Sequence, residues 1–301
     1  LKSKFPDKNF DCVIADVSEY KNLDHLFERY KPEVIYHAAA YKHVPLMENN
    51  PSEAIFTNVL GSKNLADLSI KYNIEKFVMV STDKAVNPSN VMGASKRIAE
   101  MYVQSLFFKH KKENVKSTNF ITTRFGNVLG SNGSVVPLFK KQIQEGGPLT
   151  ITHPDIIRYF MTIPEACQLV LEAGAMGNGG EIFIFDMGKA VKIIDLATKI
   201  IKLAGYEPYK DIDIKTIGLR PGEKLYEELL NDNSTSLPTY HEKIMIAKVA
   251  IANHKELNSE IETLIGFSRE FDNDKLVSQM KKIVPEFKSM NSIFEVLDKN
   301  N

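Results

Sequence analysis

The chain has no tryptophan, only two cysteines, and no excess of charge of either sign. Each shortage removes a class of protein. Lys+Arg and Asp+Glu both number 38, so the formal net charge is zero, which leaves neither a basic footprint for nucleic acid nor an acidic tail. Cys12 and Cys167 sit in apolar runs without any Cys/His ligand spacing. No zinc or other metal site is expected from them, and both read as buried free thiols of a reducing compartment. No run reaches the ~20 apolar residues that span a bilayer. No signal peptide is visible, and the start at Leu1 within a polar stretch reads as the inside of a longer chain.

What is present is ordinary in amount and ordered in pattern. With 301 residues, 43% hydrophobic and 25% charged, the chain suits one large soluble domain or two that share a core. Short apolar runs alternate with longer amphipathic ones. Strands are expected at Asp11–Ile14, Val34–Ala39, Phe77–Ser81 and Phe120–Phe125. Helices are expected at Leu23–Tyr30, with Leu26 and Phe27 inward, at Ser52–Tyr72 and at about Gly93–Lys109. The run at Phe77–Ser81 is apolar almost throughout, as a strand buried on both faces must be. The fold class is therefore α/β, a doubly wound parallel sheet whose ligands gather at the carboxyl ends of the strands.

Beyond Phe125 the rhythm loosens. A Gly/Asn/Ser-rich loop, Gly126–Gly133, precedes expected helices at Val135–Glu145, Pro164–Gly174 and Ile193–Leu203, a strand at Glu181–Phe185, and segments at Leu225–Leu230 and Ile244–Ala247. Residues 1–128 read as the sheet domain. Residues 129–250 read as a smaller α/β lobe with at least one element returning to the sheet. Residues 251–301 form a charged, weakly patterned tail with an amphipathic Leu276–Val284.

Four strand ends carry polar clusters: Asp16-Val17, His37 through His43, Ser81-Thr82-Asp83-Lys84, and Arg124-Phe-Gly-Asn127. One polar loop is weak evidence, but four at successive carboxyl ends converge on a single crevice. Ala38, Ala39 and Ala40 are small enough for a flat ring or a pyrophosphate to lie against the backbone. Asn58 is a polar residue bracketed by apolar ones within a helix.

The run STDKAVNPSNVMGASKR (Ser81–Arg97) resembles the active-site segment of the bacterial polysaccharide-biosynthesis dehydratases, extended short-chain dehydrogenases that act on UDP-N-acetylglucosamine. The resemblance extends through YHAAAYKHVPLMENNP (Tyr36–Pro51), TRFGNVLGSNGSVVPLF (Thr123–Phe139) and GLRPGEKLYEELL (Gly218–Leu230), and the tail resembles that of the long, membrane-anchored members. It implies a Rossmann-type domain with NAD or NADP as cofactor, NAD favoured. That domain is incomplete here, since no Gly-x-Gly-x-x-Gly opens the sequence. It also implies a homo-oligomer on the cytoplasmic face of the membrane, anchored only through a region preceding Leu1.

The implied chemistry removes a hydride from sugar C4, eliminates water across C5–C6 and returns the hydride to C6. By resemblance Asp83 protonates the departing 6-hydroxyl, Lys84 takes the C5 proton and Thr82 hydrogen-bonds the 4-hydroxyl. Asp83 then needs a raised pKa and Lys84 a lowered one. Asp-Lys, where dTDP-glucose dehydratases carry Asp-Glu, points to a UDP-N-acetylhexosamine. Met92 stands where short-chain dehydrogenases usually carry tyrosine, with Lys96 at the expected offset for the nicotinamide ribose. Lys84, Asp83 and an ordered water are the candidates for the base at the 4-hydroxyl.

Cofactor contacts are expected from Asp16, Val17, Ala38, Ala39, Ala40, Asn58 and Lys96. Substrate contacts are expected from Lys42, His43, Asn127, Gly133, Ser134 and Val135, the last three at a helix N-terminus suited to phosphate. Arg158 and Arg220 are candidates for the diphosphate and Glu223 for ribose hydroxyls. The competing readings are a UDP-sugar 4-epimerase and a non-catalytic nucleotide-sugar-binding module, the latter disfavoured because binding alone needs no acid–base pair.

Overall fold

The computed structural model describes residues 5–115, 117–228 and 236–300. Four parallel strands, Val34–His37, Lys76–Val80, Asn119–Arg124 and Ile182–Phe185, lie side by side in chain order. Ile244–Ala247 pairs antiparallel with Ile182–Phe185, and Ser236–Pro238 pairs antiparallel with Ile244–Ala247 at the edge. The register levels the strand ends: His37 pairs with Met79, and Val80 with Thr123. The loops that begin at Ala38, Ser81 and Phe125 therefore leave the sheet along one edge.

Successive strand residues point to opposite faces, and each face has its own core. Phe77, Met79 and Phe120 pack under helices Tyr20–Tyr30, Gly61–Lys71 and Val91–Lys112. Val78, Ile121, Phe183 and Phe185 pack against helix Ile163–Met176 on the other side. Helices on both faces of a mainly parallel sheet define the doubly wound class. Each fully buried Phe or Ile stabilises by roughly 1.5–3 kcal/mol, so the paired cores hold the sheet's strand-end edge rigidly. A third core joins helices Val135–Gln144 and Ile193–Leu203 to the short strands Leu149–Ile151 and Ile214–Thr216.

Several expectations are corrected. Asp11–Ile14 forms no strand: its Val13 and Ile14 side chains are exposed, and among the described residues no strand pairs with it. The expected helix Ser52–Tyr72 is three pieces, Pro51–Ala54, a π-helical turn Ile55–Leu60, and Gly61–Lys71. Leu26 is only half-buried on helix Tyr20–Tyr30, where Leu23 and Phe27 make the core contact. Both cysteines are exposed rather than buried. Cys12 lies in that unpaired segment, and Cys167 sits off the stripe of Ala166, Leu169, Val170 and Ala173 that helix Ile163–Met176 buries. Of the expected element Leu225–Leu230, Leu229 and Leu230 lie outside the described residues, and Leu225–Glu228 form neither helix nor strand. The tail is more ordered than its charge suggests. Helix His254–Glu270, capped by Asn253, buries Leu257, Ile261, Leu264 and Ile265, and Asn273–Ile283 packs beside it. Among the described residues, no helix is long and apolar enough to cross a membrane.

Candidate active site

A cavity of about 460 Å³ opens at the carboxyl edge of the sheet, between the strand-end loops and the lobe. That volume suits a small organic ligand. Its walls include Ala38, Ala40, Lys42, His43, Thr82, Lys84, Met92, Lys96, Asn127, Gly133, Ser134, Val135, Arg158, Arg220 and Glu223. Asp83 is buried immediately behind Lys84. Asp16, Val17, Ala39 and Asn58 do not line it.

Strand Lys76–Val80 delivers the central chemistry. Thr82 caps a single 3₁₀ turn, Asp83–Ala85, its hydroxyl accepting from the Lys84 backbone N–H at 3.4 Å and donating to Asp83 Oδ1 at 2.9 Å. Lys84 Nζ donates to the same Oδ1 at 2.9 Å and lies 3.4 Å from Glu227 Oε1. Asp83 Oδ2 is buried with no hydrogen-bond partner. Burial alone lowers the Lys84 pKa, but Asp83 and Glu227 outweigh it and hold the ammonium above the ordinary lysine range. This corrects the expectation of a lysine with a lowered pKa: two carboxylates, Asp83 and Glu227, face the ammonium.

The next wall is the start of helix Val91–Lys112. Asn90 caps it by accepting from Gly93 N–H at 2.8 Å. Gly93 has to be glycine, because a Cβ there would stand 2.2 Å from the Lys84 carbonyl oxygen. The helix is thus pressed against the Asp83–Ala85 turn, and Met92 and Lys96, both buried, are brought to the cavity. Burial pushes the Lys96 ammonium down to about 8 despite the attraction of Glu100. Below the site, Arg124 spends its guanidinium on Glu100, with Nε to Oε1 at 2.8 Å, so it is a buried structural pair rather than a cavity wall.

Asn58, in the π-helical turn, accepts from Tyr41 N–H at 2.8 Å and donates to Tyr41 O at 3.0 Å and Ser95 Oγ at 2.9 Å. It latches the Ala38–His43 loop to the helix that carries Lys96; π-turns often mark functional sites. Asp16 accepts from Ser18, and Val17 O and Ser18 O accept from Asn64, which ties that first cluster to helix Gly61–Lys71 away from the cavity. His37 is buried against Ser62 at 2.9 Å, and burial lowers its pKa to about 3, so it is a neutral core residue.

On the lobe side, Ser134 precedes helix Val135–Gln144, and its buried hydroxyl has no partner. Lys42 Nζ reaches Ser131 Oγ at 3.3 Å across the cavity mouth. Arg220 is half-exposed and paired with Glu223 at 3.2 Å. Arg158 is enclosed. Its Nη atoms donate to the carbonyls of Ile157, Lys224 and Leu225 and to Glu223, and its Nε lies 3.5 Å from Glu227 Oε1. It therefore braces the segment Glu223–Glu227. Glu227 and Asn90 were missed in sequence. Asn90 had a signal, a capping residue type just before a helix. Glu227 had none, since only the fold brings it to Lys84 and Arg158. Among the described residues, no group of three or more His, Cys, Asp or Glu side chains is arranged to hold a metal ion.

Fold and site together describe a Rossmann-type α/β protein with an acid–base cluster at its strand ends. Residues 1–249 match the family model described as polysaccharide biosynthesis protein, and the chain belongs to that family. It is 56% identical over 262 residues to the capsular polysaccharide biosynthesis protein CapD of Staphylococcus aureus, covering 87% of this chain and 43% of that protein. It is 41% identical over 218 residues to a UDP-glucose 4-epimerase of Rickettsia canadensis, covering 72% and 61%. The chain thus spans less than half the length of CapD. Among solved structures, Pen from Bacillus thuringiensis superimposes with a TM-score of 0.75 at 34% identity, over 84% of this chain and 78% of that one. The NAD complex of dTDP-glucose 4,6-dehydratase from Bacillus anthracis shares the fold, with a TM-score of 0.60 at 23% identity over 73% of this chain and 72% of that one.

Proposed function

We propose that this chain carries the catalytic centre of a nucleotide-sugar 4,6-dehydratase acting on UDP-N-acetylglucosamine, in the service of polysaccharide synthesis. One observation carries the reading: Thr82, Asp83 and Lys84 form a continuous hydrogen-bonded chain at the end of a central strand, facing a cavity that Lys96 also lines. NAD or NADP, NAD favoured, fits beside it. Lys96 is a buried cation on the cavity wall, the candidate for the ribose hydroxyls, and the small Ala38 and Ala40 line the same cavity. A bound nicotinamide supplies the hydride acceptor for C4 and the donor for C6.

The residues of this chain do the rest. Thr82 orients the 4-hydroxyl. Transfer of one proton from Lys84 Nζ to Asp83 Oδ1, across 2.9 Å, converts the resting ion pair into a neutral amine and a carboxylic acid. The proton of the 4-hydroxyl passes to an ordered water. The amine takes the C5 proton while Asp83 protonates the departing 6-hydroxyl, so water leaves. Lys84 then returns a proton to C5 as hydride reaches C6, and the proton held by the water restores the resting pair. Met92 offers no proton acceptor, which counts against a mechanism that needs a tyrosine there. The nucleotide is assigned to Asn127, the Gly133–Val135 helix start, Arg220 and Glu223, where the unpartnered Ser134 hydroxyl is free to donate to a phosphate.

The second reading is a UDP-sugar 4-epimerase, favoured by the name of the Rickettsia relative. Proton NMR of UDP-N-acetylglucosamine turned over in deuterated water, with NAD supplied to the native protein that contains these residues, separates the two. A 4-keto product with a C6 methyl and deuterium at C5 is expected, and the C5 coupling reads retention or inversion. Interconversion at C4 without a methyl means an epimerase, and UDP-sugar binding without turnover means a binding module.

A further inference from the structure

The family match ends at residue 249, yet the chain beyond it reaches the cavity wall. After helix Asn273–Ile283 the backbone turns and runs along the loop that precedes the Met92 helix. Lys288 N–H donates to Pro88 O at 3.1 Å and Met290 N–H to Ser89 O at 3.1 Å. Met290 O in turn accepts from Gly222 N–H at 2.8 Å, and Asn291 Nδ2 donates to Glu223 O at 3.1 Å. From the other side, Asn90 Nδ2 and Ser89 Oγ donate to Gly222 O at 2.9 and 3.2 Å. Ser292 Oγ closes the array on Glu48, whose second oxygen accepts from Val91 N–H at 2.6 Å, the first amide of the helix bearing Met92 and Lys96.

We propose that the segment Lys288–Ser292 is a positioning strut of the nucleotide site. It holds the Arg220–Glu223 turn against the Pro88–Asn90 loop and thereby sets the affinity for the nucleotide. Gly222 has both its amide and its carbonyl tied, one to the tail and one to Asn90. Arg220 and Glu223 are otherwise joined mainly to each other and to Arg158, so the turn that bears them has no secondary structure of its own to keep it in place. The inference deepens the reading of residues Arg220 and Glu223 as nucleotide ligands and rests on it.

The test is the double variant Asn291→Gly with Ser292→Ala. Glycine is chosen because Asn291 has a φ of 52°, so the amide is removed without imposing strain on the backbone. The probes are UDP binding by calorimetry and hydrogen exchange at the Gly222 amide. Lys282→Ala, on the same tail but facing Glu260, is the control. The variant should bind UDP about tenfold more weakly, the scale of two lost hydrogen bonds. Gly222 should exchange faster, while the control changes neither. Unchanged UDP binding and unchanged exchange overturn the strut, as does a control that moves both. A parent protein that does not bind UDP overturns the nucleotide reading instead, and Gly222 exchange still decides the strut on its own.

Discussion

The two walls of the cavity are built by different means. The wall of Asp83, Met92 and Lys96 is buried and belongs to the end of strand Lys76–Val80 and to helix Val91–Lys112, so the cores on the two faces of the sheet set its geometry. The wall of Arg220 and Glu223 is irregular chain, held by Arg158, Asn90 and the tail through individual hydrogen bonds. Chemistry is mounted on packed structure, where misplacement by an ångström is costly. Recognition is mounted on a turn that a few bonds can tune. Substitutions in the first wall should then abolish turnover without touching nucleotide binding, and those in the second should do the reverse.

The largest effect is expected at the acid–base pair. Asp83→Asn or Lys84→Ala should lower kcat by about 10²–10⁴-fold, the usual worth of a positioned acid or base, with the Kd for UDP unchanged. Equal losses in both would merge the two walls into one unit.

Lys96→Met probes the cost of the first wall. The Lys96 pKa falls from 10.5 to about 8 on burial. The unfolded chain therefore binds the extra proton between these values, and stability rises with pH across that window. Below about pH 8 the full penalty applies, on the order of 3 kcal/mol as an upper bound. Methionine removes it. The variant should melt higher than the parent at pH 7, the gap should close as pH rises through 8 to 10.5, and cofactor-dependent turnover should be lost. A lower melting temperature at pH 7 would show that Lys96 is paid for by packing and not tolerated for function.

Gly222→Ala tests the second wall. A Cβ there would lie 2.6 Å from Asn90 Cβ, at a φ of 77° that side chains resist. A loss of about 1–3 kcal/mol in stability, read by denaturant unfolding, should accompany weaker UDP binding.

The same contrast governs what the sequence could show. The strands Lys76–Val80 and Asn119–Arg124 and the helix Ile193–Leu203 carry apolar patterns dense enough to read directly. Thr82, Asp83 and Lys84 are legible as a polar cluster at a strand end, but the roles expected of them and of Lys96 rest on the resemblance of Ser81–Arg97 to the dehydratase segment. Helix His254–Glu270 was obscured because its stripe of Leu257, Ile261, Leu264 and Ile265 is diluted by charge, and its partners lie far away in the chain. Asp11–Ile14 misled for the opposite reason: a β-like composition makes no strand without a neighbour to pair with. The bonds from Lys288 and Met290 are made by backbone groups, which leave no mark on residue identity.

Glu227 is where the two walls touch, 3.4 Å from Lys84 Nζ and 3.5 Å from Arg158 Nε. Its sequence setting, Tyr-Glu-Glu-Leu-Leu, looks like the solvated face of a helix, yet it is buried. Glu227→Gln keeps the shape and an acceptor oxygen but removes the charge. With one of its two carboxylate neighbours gone, Lys84 should lose its proton more readily, since Asp83 alone opposes the burial that disfavours the ammonium. The proposed mechanism starts from one proton shared by Lys84 and Asp83, so the basic limb of the kcat profile, where the pair loses that proton to solvent, should move to lower pH, while UDP affinity changes little because Arg158 keeps its carbonyl partners. A limb that stays in place while kcat falls would make Glu227 a brace for Arg158 alone, and would return the walls to independence.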